Sequence, residues 1–281
     1  MERKQVALVT GASSGIGWQT AIEMRREGFC VYGAARRLEK LEELHSWGVI
    51  PVRLDVTDDA SMTSCVERII SEAGHVDVLV NCAGYGSYGP IEEVPLAEAR
   101  QEMEVNVFGL ARLTQLVLPH MRSSGAGRII NVSSVAGRVW TPFGGWYHAS
   151  KFAVEGFTHA LRWELEPLGI KAILIEPGLI KTDWGQIAAN HLKAAAQGSA
   201  YADEAETTAQ MLELAYGGHF GTVPEEIARC IARAAVASKP KARYMLGRGA
   251  WPLFLLKALL PPSVYDGVLR WSLRHMGAVF F

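Results

Sequence analysis

The sequence predicts an α/β fold in which helices cover both faces of one doubly wound parallel sheet. Seven short runs of apolar and β-branched residues alternate with segments of helical length and amphipathic pattern. Strands that are buried on both faces of a parallel sheet form nearly continuous apolar runs, and these runs have that character. The 281 residues contain neither an internal repeat nor a linker-like tract, so we expect a single domain, residues 1–281.

The individual elements follow from this alternation in chain order. The predicted strands are Val6–Thr10, Phe29–Ala35, Ile50–Leu54, Val76–Cys82, Arg128–Ser134, Ile170–Pro177 and Arg243–Leu246. The predicted helices between them are Gly15–Glu27, Arg37–Ser46, Asp58–Ala73, Leu96–Met121 and His148–Leu168. Residues 185–221 are rich in Ala, Gly, Gln and Glu, and we expect this insertion to form a substrate lid, because such long connections are uncommon without helices or a function of their own.

After the insertion, the sequence predicts one more helix, one more strand and an apolar end. Thr222 is the expected N-cap of this helix, Pro224 suits its first turn, and Glu225 completes a capping-box spacing. Residues 250–281 form an apolar C-terminal extension that prolines interrupt. Its most apolar stretch, Trp251–Leu260, is too short to span a membrane, but it is able to contact a membrane surface from one side.

Composition and charge exclude several classes of protein. The chain carries 28 Lys+Arg against 29 Asp+Glu, and this net charge of −1 gives no long-range attraction to nucleic acid. Its 49% hydrophobic content argues against disorder. The four cysteines are scattered without a C-x-x-C pair, which favours a reducing, cytoplasmic location. We also expect no metal site and no transmembrane segment, because the histidines lack metal-ligand spacing and no apolar run reaches ~18 residues.

A glycine-rich turn follows the first strand and leads directly into a helix. Gly11 allows the tight turn, Gly15 lets the backbone approach a pyrophosphate, and Gly17 allows close packing of helix on strand. The spacing G-x-x-x-G-x-G is a variant of the usual dinucleotide fingerprint, and an ordinary strand-to-helix turn remains an alternative. The turn predicted to bind phosphate also contains Ser13, Ser14 and Ile16.

Two arginines at the end of the second strand indicate which dinucleotide this turn binds. An acidic residue at this position would bond the ribose 2′-hydroxyl of NAD, whereas arginine suits the 2′-phosphate of NADP. Arg36 and Arg37 stand there, with no Asp or Glu before Glu39, and Ser13 is placed to add a hydroxyl. NADP is therefore the predicted cofactor and NAD is less favoured. The alternative is that both arginines are solvated residues at the start of a helix.

A tyrosine and a lysine four residues apart form a candidate acid–base pair. Tyr147 and Lys151 lie about one turn apart on one face of a predicted helix. A nearby ammonium favours the phenolate form, so Lys151 is expected to lower the pKa of Tyr147 toward the working pH. Exposed helices carry many Tyr and Lys residues, so the pair alone is weak evidence. Its weight comes from the residues around it.

Polar and glycine residues gather where the predicted parallel strands end. Ligands of open α/β sheets bind beyond the carboxyl ends of the strands. The residues that fall at these ends are Asn81, Ala83, Gly84, Ser134, Pro177 and Gly178. Asn106 lies inside an apolar helical stretch, where asparagine is a poor helix former. It is either a buried amide in a bent helix or a group that holds a water near Lys151.

The motifs TGASSGIG, NCAG, YHASK and EPGLIKT, with Asn106 and Ser134, resemble those of the short-chain dehydrogenase/reductase family in order and spacing. The resemblance covers Val6 to Thr182. It implies a Rossmann fold and hydride transfer between a nicotinamide cofactor and a carbonyl/alcohol pair. The apolar C-terminal region is more loosely similar to hydroxysteroid- and retinol-dehydrogenase-like members.

The resemblance also implies a role for each residue of the site. Tyr147 is the general acid or base, and Ser134 orients the substrate oxygen, with Ser133 as its rival. Lys151 holds the cofactor ribose and lowers the pKa of Tyr147, and Asn106 supports a proton relay. The positions implied for adenine and for the nicotinamide carboxamide are Asp55, Val56, Ile180 and Thr182.

The expected substrate is a small hydrophobic ketone or secondary alcohol, with steroid-, retinoid- or lipid-like candidates. Aromatic residues flank the segments that should form its pocket: Tyr85, Tyr88, Trp140, Phe143, Trp146, Trp184 and Phe220. A 3-oxoacyl-carrier-protein reductase and a catalytically silent NADP-sensing protein are the two alternatives. The family is usually dimeric or tetrameric, so a homodimer or homotetramer is expected.

Overall fold

A computed structural model describes residues 3–217 and 221–275 of the chain. Seven strands form one sheet in the order β3-β2-β1-β4-β5-β6-β7, and every neighbouring pair is parallel. The strands are β1 Val6–Thr10, β2 Cys30–Ala35, β3 Ile50–Arg53, β4 Val78–Asn81, β5 Gly127–Val132, β6 Ile170–Pro177 and β7 Arg243–Leu246. The order reverses between β1 and β4, which creates the crevice where doubly wound sheets bind ligands.

Helices cover both faces of this sheet, as the sequence predicts. They are α1 Gly15–Arg26, α2 Leu38–Glu42, α3 Asp59–Ala73, α4 Leu96–Met103, α5 Leu110–Ser123, α6 Gly145–Leu165, α7 Trp184–Ala196, α8 Ala202–Gly217, α9 Pro224–Val236, α10 Ala250–Leu259 and α11 Pro262–Arg274. Consecutive side chains of β1 point to opposite faces. Val9 therefore packs in the core beneath α1 and α9, and Leu8 packs in the core beneath α3 and α5.

The predicted helix Leu96–Met121 is helical throughout, but it is not an α-helix along its whole length. A π-helical turn, Glu104–Gly109, separates α4 from α5. This turn brings Gly109 against the backbone of Val56, where a Cβ atom at Gly109 would collide with the Val56 carbonyl oxygen. Helical periodicity predicts the helix but not the wider turn inside it, because the extra residue is accommodated by tertiary contacts.

The predicted cap at Thr222 is also wrong. The helix α9 begins at Pro224 and Val223 precedes it, with no side-chain cap. The hydroxyl of Thr222 instead accepts a hydrogen bond from the backbone N–H of Arg248 at 2.9 Å. Thr222 also pairs with Ile180 across an isolated parallel bridge. The Thr222 hydroxyl, which the local spacing assigns to the cap of α9, is therefore bonded to the distant residue Arg248.

The two regions outside the regular alternation are helical. Residues 184–217 form a hairpin of α7 and α8 that packs over the carboxyl edge of the sheet through Ala188, Leu192 and Ala209. The extension forms α10 and α11 up to Arg274, and residues 276–281 lie outside the described residues. Within residues 3–217 and 221–275, no helix has the length and apolarity needed to cross a membrane.

Candidate active site

A cleft of about 810 Å³ lies at the carboxyl ends of the strands, centred on the point where the strand order reverses. It brings together most of the residues that the sequence predicts for the site. These are Gly11, Ser13, Ser14, Gly15, Ile16, Gly17, Arg36, Arg37, Asp55, Val56, Ala83, Gly84, Ser134, Tyr147, Lys151, Pro177, Gly178, Ile180 and Thr182. Asn81 and Asn106 do not line the cleft.

The glycine turn is held so closely that side chains would not fit. Gly11 has φ +67°, and a Cβ atom there would lie 2.9 Å from the backbone of Ala83. A Cβ atom at Gly17 would collide with the carbonyl group of Gly11. Both positions thus require glycine, one for its backbone conformation and one for close approach. The turn consequently leaves an open cradle between β1, β4 and the start of α1.

The N-terminus of α1 faces this cradle with its backbone donors available. Ser14 precedes the helix in an extended conformation, makes no side-chain cap, and the first turn carries no acidic residue. The first N–H groups of a helix lack partners within it and favour an anion. The cradle and this helix end therefore fit a pyrophosphate group.

The two arginines lie exposed at one end of the cleft, immediately after β2. The Nη2 group of Arg37 donates to the hydroxyl of Ser13 at 3.0 Å and approaches that of Ser14 at 3.4 Å. Its guanidinium thus reaches from the end of β2 to the glycine turn. This arrangement supplies positive charge and hydroxyl groups at the same place, which suits a phosphate monoester.

Asp55 lies at the same end of the cleft and stays ionised. Burial opposes ionisation, but the backbone N–H and hydroxyl of Thr57 donate to its carboxylate at 3.0 and 2.8 Å. The charges of Arg36 and Arg53 act in the same direction, so the pKa of Asp55 is below its ordinary value.

The predicted catalytic residues lie together at the other end of the cleft. Lys151 is buried, and its Nζ donates to the carbonyl oxygen of Val132 at 3.1 Å and lies 5.9 Å from the ring centroid of Tyr147. The hydroxyl of Ser134 accepts from the N–H of Ala136 at 3.1 Å. It also lies 3.5 Å from the carbonyl oxygen of Pro177, at the limit of a hydrogen bond.

The pKa of Tyr147 differs in direction from the sequence expectation. Burial raises the pKa of this phenol, and a hydrogen bond with Ser134 lowers it only partly. An aromatic wall surrounds the ring: the centroid of Trp184 lies 5.1 Å from it and that of Tyr88 lies 6.2 Å from it. The ring of Tyr216 packs against Trp184 in a tilted arrangement, with the centroids 4.8 Å apart. Removal of water by this wall disfavours the charged phenolate. Tyr147 is therefore a protonated phenol in the free protein.

Asn106 does not reach the cleft, but it bonds the backbone of Tyr85, which lines it. Its Nδ2 donates to the carbonyl of Tyr85 at 2.8 Å and to the hydroxyl of Ser150 at 2.9 Å, and its Oδ1 accepts from the N–H of Tyr85 at 3.1 Å. These are the contacts of a satisfied buried amide in a bent helix, the first of the two sequence-based interpretations. A Cβ atom at Gly84 would lie 3.0 Å from Asn106 Oδ1 and 3.6 Å from Lys151 Nζ. Asn106 thus holds the backbone beside the lysine.

Asn81 points into the protein rather than toward the cleft. Its Nδ2 donates to Asn131 Oδ1 at 2.9 Å and to Thr114 Oγ1 at 3.3 Å, between the sheet and α5. The next residue, Cys82, lines the cleft instead. Because side chains alternate across a strand, a one-residue shift moves a side chain from one face to the other.

Several residues of the site are not evident from the sequence. Tyr216 lines the cleft from α8, a helix without a recognisable motif. Its sequence signal is Gly185, where a Cβ atom would collide with Tyr216. Glu102 is fully buried, accepts from the N–H of Ser87 at 3.3 Å, and has its pKa raised by burial to about 7. Of the predicted aromatic residues, Tyr85 and Trp184 line the cleft, whereas Phe220 lies outside the described residues.

Known proteins resemble this chain in sequence and in fold over nearly its whole length. Residues 5–192 match the family model described as short chain dehydrogenase. A short-chain dehydrogenase from Streptomyces avermitilis has a crystal structure that superposes with a TM-score of 0.81 at 32% identity, covering 97% of each chain.

Two similar proteins carry names that state an activity. The 3-ketodihydrosphingosine reductase of Bacteroides thetaiotaomicron is 35% identical over 276 residues, covering 98% of both chains. The NADPH-dependent 3-dehydrocapnine reductase of Ornithobacterium rhinotracheale is 37% identical over 284 residues, covering 96% of this chain and 98% of the relative. The similarity extends through the hairpin and the C-terminal extension, beyond the residues that the family model matches.

Proposed function

The chain belongs to the short-chain dehydrogenase/reductase family of alcohol and carbonyl oxidoreductases, and we propose that it reduces a hydrophobic ketone with NADPH, using Tyr147 as the proton donor. The observation that carries this proposal is the buried phenol of Tyr147 inside an aromatic wall, beside Lys151 and at one end of a cleft whose other end is cationic.

The cofactor assignment is supported from two directions. The glycine cradle, the open end of α1 and the pair Arg36–Arg37 suit the pyrophosphate and the 2′-phosphate of NADP. One relative at 37% identity is named as NADPH-dependent. When bound, NADPH supplies the hydride that the carbonyl carbon accepts.

The chain's own residues would manage the proton and the substrate oxygen. Tyr147 Oη donates its proton to the carbonyl oxygen as that oxygen gains charge, and the hydroxyl of Ser134 hydrogen-bonds the same oxygen. Lys151 would hold the ribose hydroxyls, and Asn106, which bonds the backbone of Tyr85, would keep the chain beside it in position. Pro177, Gly178, Ile180 and Thr182 line the cleft on the side proposed for the nicotinamide.

We propose that the hairpin of α7 and α8, residues 184–217, is the lid predicted for residues 185–221 and that it covers an apolar substrate. It contributes Trp184, Ile187 and Tyr216 to the cleft, and the alanine-rich core below it packs against Tyr88 and Tyr147. Two relatives whose names describe reduction of 3-ketodihydrosphingosine and of 3-dehydrocapnine support a lipid-like ketone. An acyl chain attached to a carrier protein is the alternative substrate, and a silent NADP-sensing protein is the alternative function.

A chain-length series tests the substrate class. With ketones of one head group and 4 to 16 carbon atoms, we expect kcat/KM to rise with length, because each additional buried CH₂ contributes about 0.8 kcal/mol. Trp184→Ala should lower kcat/KM for the longest ketones by about 10- to 100-fold and for the shortest by much less, since it removes an apolar wall. Oxidation of NADPH, followed by its absorbance, measures both.

Trp47→Ala is the matched control, because Trp47 is exposed and does not line the cleft. Its chain-length profile should equal that of the unmodified protein. A flat profile, or reduction of 3-oxoacyl groups only on a carrier protein, would exclude the proposed substrate class.

We further propose that two copies of the chain pair through α6 and the neighbouring π-helical turn. Phe108 on that turn and Phe152 on α6 are exposed apolar side chains, 55% and 42% accessible, and Trp163 on α6 is 75% accessible. Isologous pairing of such a surface buries it in a dimer. Sedimentation velocity should give a dimer or larger, and Phe108→Ser combined with Phe152→Ser should shift it toward monomer; an unchanged dimer would place the interface elsewhere.

Cytoplasmic location and membrane contact by the extension stay predictions. The four cysteines are free, which suits a reducing compartment. Trp251, Leu255 and Leu259 are exposed on α10 at helical spacing, as contact with a membrane surface would require. Co-sedimentation with phospholipid vesicles tests that contact, and complete recovery in the supernatant would exclude it.

A further inference from the structure

We propose that the C-terminal extension positions the loop between Ser134 and Tyr147, and that Trp140 and Asp266 are positioning residues for reduction. This inference rests on the proposed function, because its kinetic consequence appears in ketone reduction. The loop matters because it connects two of the residues proposed to handle the substrate oxygen. Whatever holds residues 135–143 therefore helps to set the distance between the two hydroxyl groups.

The outer side of the loop is bound to α11 by three contacts on two successive residues. The indole N–H of Trp140 donates to Asp266 Oδ1 at 2.9 Å. The hydroxyl of Tyr265 donates to the backbone carbonyl of Trp140 at 3.0 Å, and the two rings pack edge to face at 5.1 Å. Tyr265 is fully buried although α11 lies close to the end of the described residues. A buried hydroxyl with a backbone partner fixes that partner, since breaking the bond would leave both groups unpaired.

The extension makes a second contact where the loop begins. Val135 and Val139 pack with Ala250, the first residue of α10, in a small apolar cluster. The guanidinium of Arg138 lies over the ring of Phe254 at 4.2 Å and pairs with the buried carboxylate of Glu176 at 3.6 Å. Both α10 and α11 thus contact the loop.

The inner side of the loop is bound to α6 by a histidine. The Nε2 of His148 accepts from the N–H of Thr141 at 2.9 Å, so its proton must be on Nδ1, which donates to the carbonyl of Ala136 at 3.0 Å. Burial lowers the pKa of His148, which keeps this neutral form. His148 follows Tyr147 directly. The loop is therefore held on its outer side by the extension and on its inner side by the first turn of α6, which carries Tyr147. We call this two-sided attachment the clamp.

Loss of the contacts between the extension and the loop should affect the rate of the chemical step more than the stability of the protein. Displacing reacting groups by about 1 Å is able to cost 10²-fold in rate. Residues 250–275 of the extension do not line the cleft, so the extension acts on the reaction indirectly, and the loop is the route that leads from it to both Ser134 and Tyr147. We therefore expect its loss to lower kcat while affinity for NADPH stays the same.

Three variants of the full chain test this. Asp266→Leu and Trp140→Phe each remove the indole–carboxylate bond, whereas Asp266→Asn keeps an acceptor oxygen. We expect Asp266→Leu and Trp140→Phe to lower kcat about three- to tenfold, the effect of losing one hydrogen bond from the positioned state, with NADPH Kd unchanged. Asp266→Asn should retain most of the rate. The Trp140→Phe/Asp266→Leu pair should be no slower than either single variant, because both remove the same bond.

Amide hydrogen exchange of residues 135–143 gives a readout that does not depend on turnover. In Asp266→Leu, exchange in this loop should accelerate about three- to tenfold, while exchange in β1 to β4 stays as in the unmodified protein. Trp271→Phe, at an exposed position on α11, is the matched control and should change neither readout.

The outcomes separate the two proposals. If the unmodified protein reduces no ketone, the proposed function fails, but faster exchange in the loop still supports the clamp. If the unmodified protein is active and Asp266→Leu changes neither kcat nor loop exchange, the extension is not a positioning element. Equal losses of kcat in Asp266→Leu and Asp266→Asn would likewise overturn the role of this hydrogen bond.

Discussion

Tyr147→Phe is expected to lower kcat for ketone reduction by about 10²- to 10⁴-fold, the usual contribution of a positioned acid–base group. The variant keeps the ring, and with it the packing against Trp184 and Tyr88, but removes the proton that the substrate oxygen needs. NADPH Kd should change little, because the phosphate end of the cleft is untouched. Steady-state turnover and cofactor fluorescence titration measure the two quantities separately.

The pH dependence of the unmodified protein provides a second test of the same residue. Burial raises the pKa of Tyr147 above its ordinary value of 10.0, so the phenol stays protonated throughout the neutral range. Loss of this acid should therefore cause no fall in kcat/KM for reduction between about pH 6 and 9. Tyr244→Phe, on β7 and outside the cleft, should behave as the unmodified protein. If Tyr147→Phe keeps full turnover, another group supplies the proton.

Removing both arginines at the end of β2 is expected to convert the preference for NADPH into near indifference. Hydrogen bonds to charged groups contribute about 1.5–3 kcal/mol each, so Arg36→Ala and Arg37→Ala should each raise the Kd of NADPH by about 10- to 100-fold. The Kd of NADH should rise by no more than a few fold, because it lacks the 2′-phosphate. Binding titrations with both cofactors at one ionic strength give the comparison.

A change of ionic strength and a control substitution test whether the effect comes from the charges of these two arginines. The difference between the two cofactors should shrink as ionic strength rises, since both guanidinium groups are exposed. Arg122→Ala, at the far end of α5, should leave both Kd values unchanged. Equal weakening of NADPH and NADH by the Arg36 and Arg37 variants would show that these residues support the turn and do not recognise the phosphate.

The sheet and most of the cleft could be predicted from the sequence because local patterns encode them. Apolar runs define strands, and glycines such as Gly11 and Gly17 are required by backbone conformation or close approach, which leaves a direct mark on the sequence. Helical spacing places Tyr147 and Lys151 on one face, and the residues at the neighbouring strand ends mark that face as part of a site. The strand ends are predicted less well: Asn81 faces the interior and Cys82 the cleft, although the two are adjacent.

The rest depends on contacts between distant segments, which periodicity does not report. The π-helical turn, the partner of Thr222 and the packing of Tyr216 against Trp184 each arise from residues far apart in sequence. The pKa of Tyr147 belongs to the same class, because spacing places a lysine nearby but only the packed wall determines how much water remains. The clamp on Trp140 joins residues 126 positions apart and is equally invisible in the sequence.

Transfer of deuterium in a single turnover tests most directly whether this protein is a reductase. The enzyme would be mixed with NADPH deuterated at both C4 positions of the nicotinamide and with a long-chain ketone. The expected product is the secondary alcohol with one deuterium on its carbinol carbon, formed in equal amount to the NADPH consumed. Tight binding of NADPH with no alcohol formed from any ketone of the series would contradict a catalytic role and favour a cofactor-sensing protein.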